Sequence, residues 1–361
     1  TDNQQVVRQA AIDALVQIFL FFKKVFLFLK IITLFLNRFI KIHLYICRLH
    51  KTVVTMRKRR KFYNGSINHI YQKSADGNNL FYDYEDFLVF YTILSVCARS
   101  SDIKPLMLCI MYNHFHLLIR TMTVQELSEF MDRVTSWYVM EFNYSIGRKG
   151  KLLKKNFGSA PKRNEKSVRT TINYIGNNPV EKNICETAEE YRWNFISYAD
   201  SSNPYSERLP LRFASRALRR ALKEVTRTAS VGCHLNYVQL RRLLLPLDQK
   251  EREVLTDHII MTYNVVDYKI LTNYYGSYEN LLLAVNSNTG SEYDIHETFH
   301  HGSDKVYREM ASCIRKHCGI SQVRTVTVLD VGDKISVAHH LQRFTSASVF
   351  QICKFLHMRV K

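Results

Sequence analysis

Residues 106–120, LMLCIMYNHFHLLIR, constrain this chain more than any other stretch. The run mixes β-branched, aromatic and aliphatic residues and reads as a buried strand of a sheet. Inside it His114 and His116 stand two residues apart. Side chains alternate faces along a strand, so both imidazoles project to one side while Phe115 points into the core. Two imidazoles so placed are a ready pair of ligands for a divalent metal, and such a pair needs a third group from elsewhere. The same spacing is also what two polar residues on an exposed strand face would show.

The flanking patterns set this strand in a mixed fold. INHIY, within 67–71, alternates as a short strand does, and SADGNN after it is a turn signal. Residues 83–99 carry Phe87, Phe90, Tyr91, Leu94 and Cys97 at helical spacing, with Asp83 where an N-cap belongs. Lys104-Pro105 is a break. Thr123 opens the next helix with the capping pattern Thr-Val-Gln-Glu, and that helix is expected to reach about Phe142. A basic loop follows over 148–169, then a helix over about 167–176 that NNPVEKN continues past a kink or restart at Pro179. Strand, helix, strand, helix with a hairpin-like sheet predicts an α+β fold, a ferredoxin-like antiparallel sheet flanked by helices. From about residue 205 the pattern turns mostly helical. The tail, 333–361, gives two short helices joined by RFTSA, the size and spacing of a helix-turn-helix.

Two further features bear on chemistry. In YIGNNP, Tyr174 and Asn178 lie at i and i+4 and share one helix face, which puts a phenol and an amide oxygen together. A phenol with a pKa near ~10 needs a nearby cation or base to attack as phenolate. The chain has 21 tyrosines, however, and most must be packing residues. The basic loop holds Arg148, Lys149, Lys151, Lys154, Lys155, Lys162, Arg163, Lys166 and Arg169 against one acid, Glu165. With Phe157 interleaved, it suits phosphate contacts and base stacking on single-stranded or hairpin DNA. Taken alone, it reads equally as a solvated loop.

Charge points the same way. A formal net charge of +19 argues for a polyanionic partner, nucleic acid or an anionic membrane surface. The first 55 residues are rich in Phe, Leu and Ile, but Lys23, Lys24, Lys30, Arg38 and Lys41 interrupt them before any stretch reaches the ~18–20 apolar residues of a membrane span. Met56 is the first methionine and RKRRK follows it. Residues 1–55 are therefore expected to be an extension without a working role, the alternative being a membrane-surface or partner helix. The eight cysteines form no CxxC pair and read as reduced thiols of a cytoplasmic protein.

The order of motifs, HI, LFYDYEDFLVF, MYNHFHLLIR, GKLLKKNF, YIGNNPVEKNI and YRWNFISY, resembles the single-tyrosine HUH transposases, specifically the REP-associated tyrosine transposase branch of the IS200-like family. The likeness runs from about Asn68 to Tyr198, and NHFHLLI and YIGNNPVEKN are its most specific parts. It implies an HUH endonuclease core within residues 56–204, with His114 and His116 as metal ligands, Asn178 as the third ligand and Tyr174 as nucleophile. It implies Mg²⁺ or Mn²⁺ as cofactor and single-stranded or hairpin DNA as substrate, cut through a 5′-phosphotyrosine intermediate. Two departures stand out. Met111-Tyr112-Asn113 replaces the family's Met-Pro-Asn, and HIYQKS has Lys73 where an arginine is usual. Both bear on DNA contacts and strand geometry rather than on the chemistry.

Beyond the catalytic domain, residues 205–328 are a helical middle region and 329–361 the helix-turn-helix, whose Gln351, Lys354 and Arg359 are residue types able to touch base edges and phosphates. The expected setting is the cytoplasm, on the nucleoid, as a monomer or a homodimer, with no membrane role. A rival is a catalytically silent DNA-binding regulator of repeat elements. Conjugative relaxases and replication initiators, which share the chemistry, usually show a third histidine or paired tyrosines and helicase regions, and these motifs are not evident here.

Overall fold

The computed structural model describes residues 62–210, 212–287 and 303–358. The expectations for residues 1–55 and for Arg359 fall outside them. Residues Arg60–Lys361 cluster as one compact unit.

Strand β1, Ile67–Lys73, is the INHIY strand. Helix α1, Tyr84–Arg99, follows, and its first turn is tied by Asp86, whose carboxylate accepts the backbone N–H groups of Tyr82 (2.8 Å) and Asp83 (2.9 Å). The apolar run from 106 onward is not one strand but two. Strand β2, Lys104–Ile110, and strand β3, His114–Arg120, form a hairpin closed by the Met111 N–H bond to the His114 carbonyl (2.9 Å). The turn Met-Tyr-Asn contains neither Gly nor Pro, and Asn113 is its one turn-forming residue. Helix α2, Val124–Ile146, starts where the Glu126 N–H donates to Thr123 Oγ1 and stops at Gly147, left-handed at φ 66°. The expected basic loop contains strand β4, Gly158–Lys162. Helix α3, Glu165–Glu181, then begins at the Asn164 cap, earlier than expected, and runs unbroken through Pro179. A proline in the last turn forfeits a single backbone bond, which a helix end tolerates.

The four strands form an antiparallel sheet in the order β2-β3-β1-β4. Pro105 sits on the edge strand, where its missing N–H costs no ladder bond, and a register shift lies between Pro105 and Met107. One sheet face is apolar. Phe115 is fully buried with its ring 4.6 Å from Phe90 of α1, and α2 packs beside α1. The other face of β2 and β3 is covered by α3.

The second half of the chain is helical: α4 (Arg216–Ser230), α5 (Tyr237–Leu244), α6 (Gln249–Thr262), α7 (Tyr268–Asn273), α8 (Tyr278–Asn286), α9 (Lys305–His317), α10 (Val331–Phe344) and α11 (Val349–Phe355). Helices α5 and α6 pack on the side of α1 away from the sheet, which explains why α1 is buried nearly all round rather than along one stripe. Helix α8 packs on α3 so closely that a Cβ at Gly176 would lie 2.7 Å from Val285 Cγ1. The tail does form two helices, but α11 lies against the catalytic domain. Lys354 donates to the Asp76 carbonyl, Gln351 to the Ser303 carbonyl (3.1 Å) and Tyr82 to the Phe355 carbonyl (2.8 Å). Among the described residues the cysteines are all free, and no helix is long and apolar enough to cross a membrane.

Candidate active site

Register brings the chemistry together. In the β1–β3 ladder Lys73 pairs with His114, Tyr71 with His116 and His69 with Leu118, while β4 sets Gly158 opposite Tyr71 and Ala160 opposite His69. Partners in a ladder share a face, so His69, Tyr71, Lys73, His114 and His116 stand on the side that α3 covers.

His114 and His116 are 5% and 0% exposed, with ring centroids 4.9 Å apart. Each has its Nδ1 engaged. His114 Nδ1 is 2.6 Å from Asn113 Oδ1, and His116 Nδ1 is 3.0 Å from His69 Nε2. An amide oxygen only accepts, so His114 carries its proton on Nδ1, and Nε2 is the atom it would offer a metal. Helix α3 lays Tyr174 against the pair. Its ring is 5.4 Å from that of His116 at 84° and 5.8 Å from that of His69 at 62°, edge-on to both.

One turn on, Asn178 is fully buried and neither polar atom of its amide has a hydrogen-bond partner. An unsatisfied buried polar group costs roughly 1–3 kcal/mol, and a cation on the Asn178 oxygen would remove the oxygen's share of that cost. Among the described residues no three His, Cys, Asp or Glu side chains converge as a metal-holding group. The two histidines therefore need a donor of another kind; an amide oxygen is a donor that suits Mg²⁺ or Mn²⁺, while the imidazoles are common ligands of divalent transition metals. The residues present fit such an ion.

His69 is the site residue that sequence reasoning missed, and it is a third histidine beside the pair. Its signal was present in the INHIY alternation, but only the β1–β3 register shows which residue it meets. Gly158 is the other. Tyr71 lies over it so closely that a Cβ would fall 1.9 Å from the ring. Gly158→Ala is therefore expected to cost about 1–3 kcal/mol through overpacking, read by urea denaturation. An unchanged midpoint would mean that Tyr71 simply swings aside.

The basic residues divide. Lys149, Lys151, Lys154, Lys155, Arg163, Lys166 and Arg169 are exposed around β4 and the start of α3. Arg169 lies with its guanidinium 5.2 Å from the Tyr275 ring, and Arg163 at 4.5 Å from that of Tyr63. Two expected contacts are corrected. Lys162 is buried on β4, and Arg148 donates to Asn143 Oδ1 and to the carbonyls of Gly150 and Lys151, so it ties down its own loop. In the tail Gln351 is spent on the Ser303 carbonyl of the middle region and Lys354 on the Asp76 carbonyl of the catalytic domain, and burial draws the His357 imidazole down to about 4 where it meets the Asn79 carbonyl. Side chains held this way do not reach base edges, which removes the support for α11 as a DNA-reading helix.

Residues 44–178 match the family described as Transposase IS200 like. Over this segment the chain is similar to the IS200-like transposases. The match ends on Asn178, so the two histidines, Tyr174 and Asn178 all fall inside the matched segment. Solved structures similar to the chain include two transposases or proteins assigned as such. One is a REP-associated tyrosine transposase bound to a REP hairpin, 15% identical over 45% of this chain and 92% of that one, with a TM-score of 0.35. The other is a Deinococcus radiodurans R1 protein assigned as a transposase, 12% identical over 32% of this chain and 93% of that one, with a TM-score of 0.22. No curated protein matches.

Proposed function

We propose that the chain is a single-tyrosine DNA strand transferase of the REP-associated branch, working on single-stranded or hairpin DNA of the nucleoid in the cytoplasm. The observation that carries the reading is the packing of Tyr174 edge-on against His116, with the unsatisfied amide of Asn178 one helical turn away.

His114, His116 and Asn178 would hold Mg²⁺ or Mn²⁺, which supplies charge neutralisation and polarisation at the scissile phosphate. The remaining steps belong to the chain. The Tyr174 oxygen attacks phosphorus in line; the phenol proton passes to solvent, a tyrosine–phosphate bond forms to the 5′ side, and the P–O3′ bond breaks, the leaving 3′ oxygen taking a proton from solvent to become a 3′-hydroxyl. A 3′-hydroxyl from the same or another strand reverses the exchange. One phosphoester replaces another at each stage, so no nucleotide hydrolysis is needed. The sheet and α8 hold α3 from two sides, which fixes the nucleophile relative to the histidines. Within one chain, α3 packs on its own sheet, an arrangement that a monomer satisfies.

The exposed cations around β4 are suited to the phosphates of a folded strand. Lys154→Ala with Lys155→Ala is expected to lower the slope of log K against log[salt] for hairpin binding by about 1.5, given roughly 0.7–0.9 per lost phosphate contact. An unchanged slope would place the hairpin elsewhere. The decisive experiment incubates the full chain with labelled hairpin DNA and Mn²⁺ and looks for DNA covalently joined to protein. A metal-dependent adduct supports the transferase. Retarded mobility without an adduct, with or without metal, favours the silent DNA-binding regulator.

A further inference from the structure

We infer that His69 is a positioning residue, holding His116 in the tautomer and orientation that present Nε2 to a divalent cation. The inference rests on the metal-dependent reading above and concerns a residue outside the ligand set.

His69 is fully buried on β1, and its Nε2 lies 3.0 Å from Nδ1 of His116, with the rings 5.1 Å apart and inclined at 40°. Two neutral imidazoles at that distance share one proton, so one nitrogen donates and the other accepts. If His116 donates from Nδ1, its Nε2 keeps a lone pair and can ligate. If His69 donates instead, His116 must carry its own proton on Nε2 and cannot. Ligation by His116 through Nε2 therefore requires His69 as the acceptor.

His114 shows the same arrangement from a different residue, because the Asn113 amide oxygen compels Nδ1–H there. Two neighbouring imidazoles are thus held alike by two unrelated side chains. That is the outer-sphere pattern of metal-binding histidines, in which the distal N–H is fixed by an acceptor. His69 does not serve as a third ligand in this geometry. Its Nε2 lone pair is spent on the back nitrogen of His116.

The ring does a second thing. His69 meets the Tyr174 ring edge-on at 5.8 Å, and Tyr174 meets His116 at 5.4 Å. The three rings form a triangle, so His69 sets the ligand and the nucleophile against each other. An apolar side chain would fill the same volume without the penalty of burying an imidazole. What it would lack is the acceptor.

The test titrates Mn²⁺ calorimetrically into the full chain and into His69→Phe, His69→Gln and His114→Ala. Phenylalanine keeps a ring against Tyr174 but accepts nothing; glutamine offers an amide oxygen. His69→Phe is expected to weaken Mn²⁺ binding about 10- to 100-fold, and His69→Gln to recover most of that loss. Hairpin affinity in EDTA should be unchanged in both, which separates lost metal binding from lost fold. Histidine-selective ¹⁵N spectra of the unsubstituted chain need no variant and should show His116 as the Nδ1–H tautomer. Wild-type Mn²⁺ affinity in His69→Phe, or an Nε2–H tautomer at His116, would overturn the inference. If His114→Ala also binds Mn²⁺ normally, the metal reading falls and the inference with it. If only His69→Phe does, the inference alone falls.

Discussion

Tyr174→Phe is expected to abolish the covalent protein–DNA adduct while leaving hairpin affinity within about a factor of three. Removing an enzyme's nucleophile costs on the order of 10⁴-fold or more in rate, because no other term replaces bond formation. The substitution deletes one oxygen from a side chain that is 1% exposed. Its ring contacts with His69 and His116 are edge-on and need no hydroxyl, so the site should keep its shape. The measurement is a denaturing gel of labelled DNA after incubation with Mn²⁺, beside a binding titration in EDTA. His116→Ala should lose the adduct as well, but for a different reason, and the two variants separate by their Mn²⁺ affinity. Persistence of the adduct in Tyr174→Phe would move the nucleophile elsewhere. Tyr71, opposite His116 in the β1–β3 register, would be the first phenol to replace next.

How much of this could be read beforehand follows from what each signal depends on. Local periodicity, two along a strand and four along a helix, put His114 with His116 and Tyr174 with Asn178 on shared faces, but the roles expected of them came from the resemblance to a family and not from the spacing. Helix α2 announced its start through Thr123, but it runs to Ile146, past the expected Phe142, and ends at the left-handed Gly147. The hairpin between β2 and β3 did not announce itself, since Asn113 is the one turn-forming residue in Met-Tyr-Asn and an apolar run across it reads as one long strand. Strand β4 was hidden for the opposite reason. GSAPK has a glycine, a proline and no β-branched residue, and its place in the sheet comes from pairing with β1 and from Tyr71 lying over Gly158. His69 depended on register, which a single sequence does not print. The DNA contacts were the least legible, because a cation is judged by what surrounds it. Lys162 and Arg148 carry the same charge as Lys154, yet one is buried and the other ties its own loop. In α11 the residue types suited DNA, but Gln351 and Lys354 answer carbonyls of the same chain.

The largest expected loss of stability lies away from the chemistry, at Asp86. This carboxylate is fully buried at the start of α1 and accepts from the Tyr82 and Asp83 N–H groups and from the Tyr237 hydroxyl (2.9 Å). Arg324, itself 3% exposed, stands 3.6 Å away and stacks 3.9 Å from the Tyr237 ring centroid. Burial pushes the Asp86 carboxyl above the usual carboxylate range, and Arg324 draws it back. Next to it Asp83 takes Arg315 and the Val323 N–H. The N-terminus of α1 is therefore where α5, α9 and the 323–328 segment are fastened to the catalytic domain. Asp86→Ala strips three acceptor bonds and leaves the buried Arg324 charge without its carboxylate, held only by Ser145 Oγ, Gln322 Oε1 and the Tyr237 ring, so it is expected to cost about 3–5 kcal/mol. Asp86→Asn keeps one acceptor oxygen and should cost about 1–3 kcal/mol. Because much of the alanine penalty is the stranded guanidinium, Asp86→Ala with Arg324→Met should cost less than the sum of the two single changes. Urea denaturation of the full chain measures all four. Additive losses, or an alanine variant within about 0.5 kcal/mol of wild type, would mean that apolar packing of α5 and α6 on α1 holds the two halves together without the ion pair.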